Sequence, residues 1–513
     1  MNDTDKLPPL IHLLLTAPTC YGHAVDRVRL IETHISWVLL TGDYAYKIKK
    51  PVNLGFLDFS TLVLRQQACA DEVRLNRRLA PEIYLGMVAV TGRPDAPRID
   101  GQGEAIEYAV KMRQFSPDAT LDCLAERGEL GNPQIDQLAA RLAQFHLAGC
   151  ARAPAGSPWG EPDTIARPVA DNFRLLAGWL GDLAESRRLA ALQSWSEAEF
   201  ERLAPLMRER KRNGMIRECH GDLHLGNLAW VDGQLVIFDC IEFNAELRWI
   251  DVISEVAFCY MDLLHRQRRD LAFRFLNAWL ESCGDYEGVA LLRYYAVYRA
   301  LVRAKVAALR AGQPGGNTAA SRAEVSASLS LAEQLSQDMP IQLWITHGLS
   351  GSGKTMLTQS LLQDQGMIRL RSDVERKRLA GLDALAHSGG GLEEGLYTQE
   401  AGHRTYTHLA HLAERLLDAG WLVIVDAAFL ARWQRDLFRE TARRYNALFR
   451  IADVQADHAT LRKRVSLRAA AGKDASEADL RVLQHQIETS QPLGEDELSA
   501  VTQMSGMVVP DRL

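Results

Sequence analysis

Two β-prone, largely apolar runs, Ile35–Leu40 and Tyr44–Lys49, are joined by Thr41-Gly42-Asp43. That arrangement predicts a β-hairpin. Across Leu62–Leu79 the pattern changes. Val63, Ala70, Val73 and Leu79 recur at threes and fours, as on one face of a helix. Another strand is expected over Ala105–Phe115. From about residue 116 to 312 the pattern is mostly helical, interrupted by one compact β-like segment, Asn227–Cys240. Gly312–Asn317 (G-Q-P-G-G-N) reads as a linker, because Gly and Pro together break helix and strand. A polar helix follows over Ser321–Gln337, and Pro340 opens a strand at Ile341–His347. From there strand and helix alternate to the end, which predicts a parallel sheet with crossover helices. No internal repeat is visible.

Composition narrows the function classes. The chain has 513 residues, enough for about three compact units at roughly 150 residues each. Net charge is −6. Divided at Gly312, the first part carries 37 basic and 40 acidic residues and the second 22 and 25, so each side is at −3. A basic nucleic-acid binder or a polybasic membrane anchor would be one-sided. No apolar run reaches the length of a spanning helix. Met1–Pro9 is acidic and polar, and Leu10–Leu15 is too short for a signal core and lacks a basic flank. The eight cysteines are scattered without a C-x-x-C pair. They read as reduced buried thiols of a cytoplasmic protein, since a zinc site needs clustered ligands.

The most specific motif is Gly348-Leu349-Ser350-Gly351-Ser352-Gly353-Lys354-Thr355, which satisfies G-x-x-x-x-G-K-[ST] in full. An apolar strand precedes it and the helix-like Met356–Leu362 follows. Glycines let backbone N–H groups close around phosphate oxygens, and the helix N-terminus favours negative charge. Lys354 would neutralise β/γ-phosphate charge and Thr355 would ligate Mg²⁺. Trp421–Val425 ends in Asp426, a candidate further Mg²⁺ partner. Met367–Leu370 ends in Arg371-Ser372-Asp373, where Asp373 could take a proton from an attacking hydroxyl; its plainer role is a helix N-cap. Arg376, one turn on, could hold an anionic group of the acceptor. Arg462, Arg464 and Arg468, before Ala469–Ala475, could fold over the transferring phosphoryl group as a lid, or form a solvated helix face. Arg435–Arg444 reads as surface. By the loop, by Ser372-Asp373-x-x-Arg376, and by Leu461–Arg468 followed by Ser476-Glu477-Ala478, residues 341–513 resemble small P-loop kinases of the gluconate kinase, chloramphenicol phosphotransferase, zeta toxin and polynucleotide kinase type. The resemblance implies that Asp373 is the base.

A second constellation is His220-Gly221-Asp222-Leu223-His224-Leu225-Gly226-Asn227. Asp222 and Asn227 have the spacing of H-R-D-x-x-x-x-N in a kinase catalytic loop. Leu235–Phe238 ends at Asp239, and Asp232-Gly233 predicts a hairpin that brings Asp239 back beside Asn227. Two oxygen ligands near a triphosphate suit Mg²⁺. Asp222 is then left to orient or deprotonate a hydroxyl. With Phe238-Asp239-Cys240-Ile241-Glu242, this segment resembles the aminoglycoside phosphotransferase-like (choline and homoserine kinase-like) kinases, whose signature reads H-G-D-x-H-x-G-N and then I-D-x-x-E. The resemblance implies that Asp222 is catalytic and that Asn227 and Asp239 hold Mg²⁺. There is no D-F-G and no G-x-G-x-x-G, as is usual in that group. A small β-rich lobe should then supply a strand Lys, either Lys47 or Lys49, which share a face, and a helical Glu, Glu72. Lys111–Phe115 would be the hinge that meets adenine.

The expected architecture is an α+β bilobal kinase-like region, small lobe 1–115 and helical lobe 116–312. A linker and helix at 313–339 lead to an α/β P-loop domain at 340–513 with a doubly wound parallel sheet. The expected activity is transfer of phosphoryl groups from Mg-ATP to hydroxyls of small molecules at two sites. Two alternatives are a nucleotide-binding domain that only gates the other, and a toxin-like nucleotide-sugar kinase at the C-terminus. Balanced charge argues against a polynucleotide acceptor, and against aminoglycosides, which favour an acidic cleft. Acceptor pockets in both groups are built from variable loops, so fold does not fix the acceptor.

Overall fold

The computed structural model describes residues 7–55, 57–181, 184–312, 317–386, 398–471 and 475–503. These residues form two compact units. One gathers the chain up to Gln137, Gln144–Ala170 and Ala204–Asp262; the other gathers Leu138–Ala143, Asp171–Leu203 and the chain from Leu263 on. The expected linker, Gly312–Asn317, lies outside the described residues except at its two ends, as does part of Ala469–Ala475.

The first unit is organised by an antiparallel sheet of six strands. These are β1 (Arg29–Glu32), β2 (Ser36–Leu40), β3 (Tyr44–Lys49), β4 (Tyr84–Arg93), β5 (Ala96–Ile99) and β6 (Ala105–Arg113), in the order β1-β2-β3-β6-β4-β5. The β2–β3 hairpin and β6 lie where the β-prone runs predict them. Strand β4 is not among those runs. Half of its residues, the unbroken run 85–89, are half-buried rather than alternately buried, and its pairing with β6 shifts register at Tyr84/Gly86 and Val90/Thr91. Strand β5 carries a proline on the sheet edge, where a missing N–H is tolerated.

Helix α1 (Leu62–Asn76) is capped by Thr61, whose side chain accepts from the Leu64 N–H. Its buried face differs from the apolar one. Val63 is 73% exposed and Ala70 is exposed, while Arg65, Ala68, Cys69, Glu72, Val73 and Asn76 point inward. The helix buries charge because the charge is paired: Arg65 meets Glu107 at 2.8 Å, and Glu72 meets two lysines. Further along, β7 (Ile216–Glu218) leads into the loop that carries Asp222, and β8 (Leu228–Val231) and β9 (Gln234–Ile237) form the expected hairpin. Strand β10 (Trp249–Asp251) pairs with β7 and leads into α2 (Val252–His265).

The second unit includes α3 (Arg269–Cys283) and a five-stranded parallel sheet. Its strands are β11 (Gln342–His347), β12 (Ile368–Arg371), β13 (Val423–Asp426), β14 (Leu448–Asp453) and β15 (Val501–Gln503), ordered β12-β13-β11-β14-β15. Strand β11 is fully apolar at its centre, as a strand flanked on both sides must be. Helix α4 (Lys354–Leu361) follows it, α5 (Ser372–Leu379) follows β12, and α6 (His458–Ala471) follows β14.

Six of the eight cysteines are buried and none forms a disulfide. The apolar run Leu10–Leu15 lies in a helix, Pro9–Thr16, that buries Ile11 and Leu14. No helix among the described residues is long and apolar enough to cross a membrane.

Candidate functional site

In the first unit, period-two alternation puts Lys47 and Lys49 on one face of β3, and both reach Glu72 on α1, at 2.9 Å and 2.5 Å. Their second partners separate them. Lys49 is fully buried and pairs with Glu242 at 2.5 Å, whereas Lys47 pairs with Asp239, which is 42% exposed. Burial alone would lower both ammonium pKa values, but the carboxylates around them more than offset it and both are raised. Burial pushes the Glu242 carboxyl up despite Lys49. Asp239 goes the other way: burial opposes ionisation, but Lys47 and then Lys49 hold its carboxyl low.

The Asp222 loop is held from beneath. His220 is completely buried, and burial lowers its pKa, so its ring is neutral. The hydrogen bonds assign the tautomer: Nε2–H donates to the Phe238 carbonyl at 2.8 Å, and Nδ1 accepts the Asp222 N–H at 3.2 Å. Gly221 has φ +90, and a Cβ there would lie 2.8 Å from the Leu247 carbonyl oxygen. The Asn227 amide donates to the Asp222 carbonyl at 3.0 Å and to its carboxylate at 3.1 Å. That leaves the Asn227 Oδ1 for a cation. Asp239 adopts a left-handed φ of 63, and its N–H donates to the Tyr84 hydroxyl at 3.0 Å. A non-glycine residue held in that region stores strain, as residues at functional sites often do. The Phe238 N–H donates to the Asn227 carbonyl at 3.0 Å, which fixes Asp239 next to Asn227. Lys47, Glu72, Asp222, Asn227 and Asp239 thus form one continuous cluster. Asn227 and Asp239 offer oxygen ligands of the kind Mg²⁺ takes, and few enough to leave it several waters.

Glu255 was not legible as part of this site. From α2 its carboxylate accepts the His220 and Gly221 N–H groups at 2.6 and 2.8 Å, and its other oxygen meets His146 Nε2 at 2.8 Å. Asp262, one helical stretch on, accepts the Leu225 N–H at 2.9 Å. No local motif marks either residue. His146, Cys219 and Glu255 come close enough to suggest a metal site, but both Glu255 oxygens are already engaged.

In the second unit, the loop after β11 borders a cavity of about 370 Å³. Ser350, Gly351, Gly353, Lys354 and Thr355 line it; Gly348 and Ser352 do not. Their work is in the turn. Gly348 has φ +146, with the Val454 carbonyl oxygen 2.3 Å from where a Cβ would stand, and Ser352 is buried. Lys354 Nζ donates to the Gly348 and Leu349 carbonyls, each at 2.8 Å. Burial lowers its pKa to about 8, against the pull of Asp426 and Asp373.

Asp373, Asp426, Arg371, Arg376, Arg464 and Arg468 also line the cavity. Asp373 lies within the first turn of α5 and is not its N-cap, which is Arg371. Burial opposes its ionisation, but Arg376, at 2.9 Å, holds the carboxyl below its usual range. Asp426 ends β13 and accepts from the Thr358 hydroxyl at 3.3 Å. Arg464 donates to the Gly351 carbonyl at 3.5 Å and Arg468 to that of Ala478 at 3.3 Å. Arg462 is exposed, turned to Gln484, and does not line the cavity. The Thr355 hydroxyl and the Asp426 carboxylate again make an oxygen set suited to Mg²⁺. Arg435 corrects the reading of Arg435–Arg444 as surface: it is fully buried, paired with Glu497 at 2.7 Å.

A family model described as an AAA domain matches residues 343–493, and one described as the phosphotransferase enzyme family matches residues 107–292. Uncharacterized proteins of Mycobacterium bovis and Mycobacterium tuberculosis are each 31% identical over 432 residues, 84% of this chain and 84% of theirs. Among solved structures, a choline/ethanolamine kinase family protein from Mesorhizobium loti is 11% identical, covers 63% of this chain and 92% of its own, and has a TM-score of 0.38. A gluconokinase from Sinorhizobium meliloti is 20% identical, covers 33% and 83%, and has a TM-score of 0.23. The chain belongs to one family with the mycobacterial proteins, and it is an ATP-dependent kinase that joins a phosphotransferase-family region to a P-loop kinase region in one polypeptide.

Proposed function

We propose that the chain is a bifunctional phosphotransferase, each of whose two sites moves the γ-phosphoryl group of Mg-ATP to a hydroxyl of a small molecule. The observation that carries this reading is that a cation, a base and a pair of oxygen ligands gather separately in each unit. In the first, groups up to 192 residues apart in sequence meet at Lys47 and Asp239. Such a reaction needs little covalent help from protein; positioning and charge neutralisation suffice.

At the first site Asn227 and Asp239 would hold Mg²⁺, which when bound offsets the charge of the phosphate oxygens. Lys47, kept charged by Glu72 and Asp239, would clamp the α/β-phosphates. Asp222, partly exposed beside them, would accept the proton as the acceptor oxygen bonds to phosphorus and the bond to the ADP oxygen breaks.

At the second site the strand order reverses at β11, which supports a doubly wound sheet with ligands outside the carboxyl ends of its strands. Backbone N–H groups of Gly348–Thr355 and Lys354 would cradle the phosphates, and Thr355 and Asp426 would hold the ion. Asp373, held ionised by Arg376, would take the acceptor proton. Arg464 and Arg468 would neutralise charge on the moving group. This chemistry requires an ATP-bearing compartment, which favours the cytoplasm.

The test is a metabolite screen with labelled ATP on Asp222→Ala and Lys354→Ala in parallel. Each variant should lose a different set of acceptors. If one variant abolishes all transfer while the other changes none, the second of these sites is regulatory and the two-site reading fails.

A further inference from the structure

Helix α3 belongs by sequence to the stretch that matches the phosphotransferase family, yet it is part of the compact unit that holds the P-loop. Strand β12 is at the edge of the parallel sheet, and α3 completes its hydrogen bonding. The Asn277 amide donates to the Met367 carbonyl at 2.9 Å, and its oxygen accepts the Arg369 N–H at 2.7 Å. An edge strand rarely leaves such groups unmet when buried. One helical turn after Asn277, on the same face, stands Glu281.

Arg369 and Arg371 share a face of β12, and Glu281 takes both. One carboxylate oxygen meets Arg369 at 2.8 and 2.6 Å, and the other meets Arg371 at 3.5 Å. On their far side the two arginines approach Asp426. Arg371 Nε lies 3.9 Å from its carboxylate. Arg369 donates to the Thr358 hydroxyl at 3.3 Å, which donates to Asp426 at 3.3 Å. Arg369, Arg371, Glu281 and Asp426 therefore form one largely buried charge set, with Asp373 adjoining it at Arg371 and Lys354 at Asp426. Burial opposes the ionisation of Glu281, but the arginines hold its carboxyl low, so it counts as a full charge.

We propose that Glu281 is a positioning residue of the P-loop site: it holds Arg369 and Arg371 off Asp426 and so keeps that carboxylate available to a divalent cation. The inference rests on the reading of Asp426 as a cation ligand. Without the Glu281 charge, both guanidinium groups lose the carboxylate on their α3 side, and Asp426, with Asp373 further along beside Arg371, is what remains to draw them. A buried charge short of a partner is costly, so the arginines turn to Asp426 and compete with the ion.

The test uses the full chain carrying Asp239→Asn, which silences metal binding at the first site, with Mn²⁺ as a spin-visible probe at saturating ADP. Glu281→Gln should raise the Mn²⁺ concentration for half-saturation on the order of tenfold, the size expected of coupled neighbours. Adding Arg371→Met to Glu281→Gln should bring it back towards the parent. Arg371→Met alone should lower it at least about twofold, and it decides the matter if Glu281→Gln does not fold. A folded Glu281→Gln with an unchanged midpoint, a double variant no better than the single, or Arg371→Met without a gain would each overturn the inference. A merely structural role for Glu281 would lower the melting temperature and leave the Mn²⁺ midpoint in place. A parent whose ADP-dependent Mn²⁺ signal survives Lys354→Ala would instead refute the P-loop half of the proposed function, and this inference with it.

Discussion

Exchange of Lys49 for Met should cost stability, and exchange of Lys47 for Met should cost turnover, although the two lysines share a strand face and a partner. Lys49 is fully buried between Glu72 and Glu242, both buried, at 2.5 Å from each. Removing it leaves Glu72 with Lys47 but takes from Glu242 the cation it pairs with. Breaking a buried pair in this way costs about 3–5 kcal/mol, because an uncompensated charge remains. The cost should depend on pH. Burial already raises the Glu242 carboxyl in the folded state. A raised folded-state pKa gives stability that is present at low pH and lost as pH climbs through it. Without Lys49 the pKa rises further, so the variant should be closest to the parent in acid and furthest from it above neutrality.

Lys47 differs because Asp239 is open to water on one side. Its loss leaves Glu72 paired with Lys49 and Asp239 solvated, a cost of about 1–3 kcal/mol. Transfer at the first site, however, should fall by roughly 10²–10³, the size seen when one preorganised charge is removed from a transition state. Urea unfolding followed by tryptophan fluorescence at pH 6 and pH 8, with labelled-ATP turnover in a Lys354→Ala background, separates the two effects. A Lys49→Met protein as stable as the parent but inactive, with an active Lys47→Met protein, would reverse the assignment.

At the P-loop, burial sets the Lys354 pKa to about 8 before nucleotide arrives. Bound phosphates favour the charged form, so ADP affinity should fall as pH rises through that value, with proton uptake on binding; calorimetry at three pH values checks this, and Lys354→Arg should be flat. Over the same range the ligand-free protein should gain stability with pH, since the unfolded chain then binds the extra proton. Gly348→Ala should abolish ADP binding at this site, because its Cβ would meet the Val454 carbonyl oxygen at 2.3 Å in a left-handed backbone; retained affinity would refute the turn geometry. Arg464→Ala and Arg468→Ala should each lower kcat by about 10² or more while ADP affinity changes little, read by single-turnover assay and calorimetry.

What was legible in the chain had its chemistry in short runs. The P-loop, the Asp222–Asn227 spacing and the Asp232-Gly233 turn each lie within a dozen residues, so local conformation decides where their side chains go. Helix α1 was legible as a helix and misleading as a surface. An apolar stripe marks the core only when burial is apolar, and here Arg65 and Glu72 are buried by pairing while Val63 is left outside. Strand β4 escaped notice because an unbroken half-buried run, 85–89, followed by paired buried and paired exposed residues erases the period of two. Arg435 failed in the opposite direction: a charge run usually solvates, but Glu497 comes from far along the chain to meet it.

The residues that tune the sites had no signal because each is a lone acid on a helix, and its meaning lies in what faces it. Glu255 on α2 ties down the backbone of His220 and Gly221, while Glu281 on α3 sits against the arginines beside Asp426. These two helices are consecutive in the chain, and one serves each unit. A P-loop domain joined as a detachable module would bring its own support for β12. Here the support of that edge strand, in backbone hydrogen bonds and in charge, comes from residues coded with the phosphotransferase-family region. Grafting an unrelated P-loop kinase after residue 312 should therefore leave Asn277 and Glu281 buried against a surface that does not answer them, at the cost of an unpaired carboxylate. The dependence runs in the other direction too: a change in α3 that leaves every P-loop residue intact alters the charge beside Asp426. The fusion is thus written into the side chains of α3, and separating its halves at the apparent linker would break a charge set, not only a peptide.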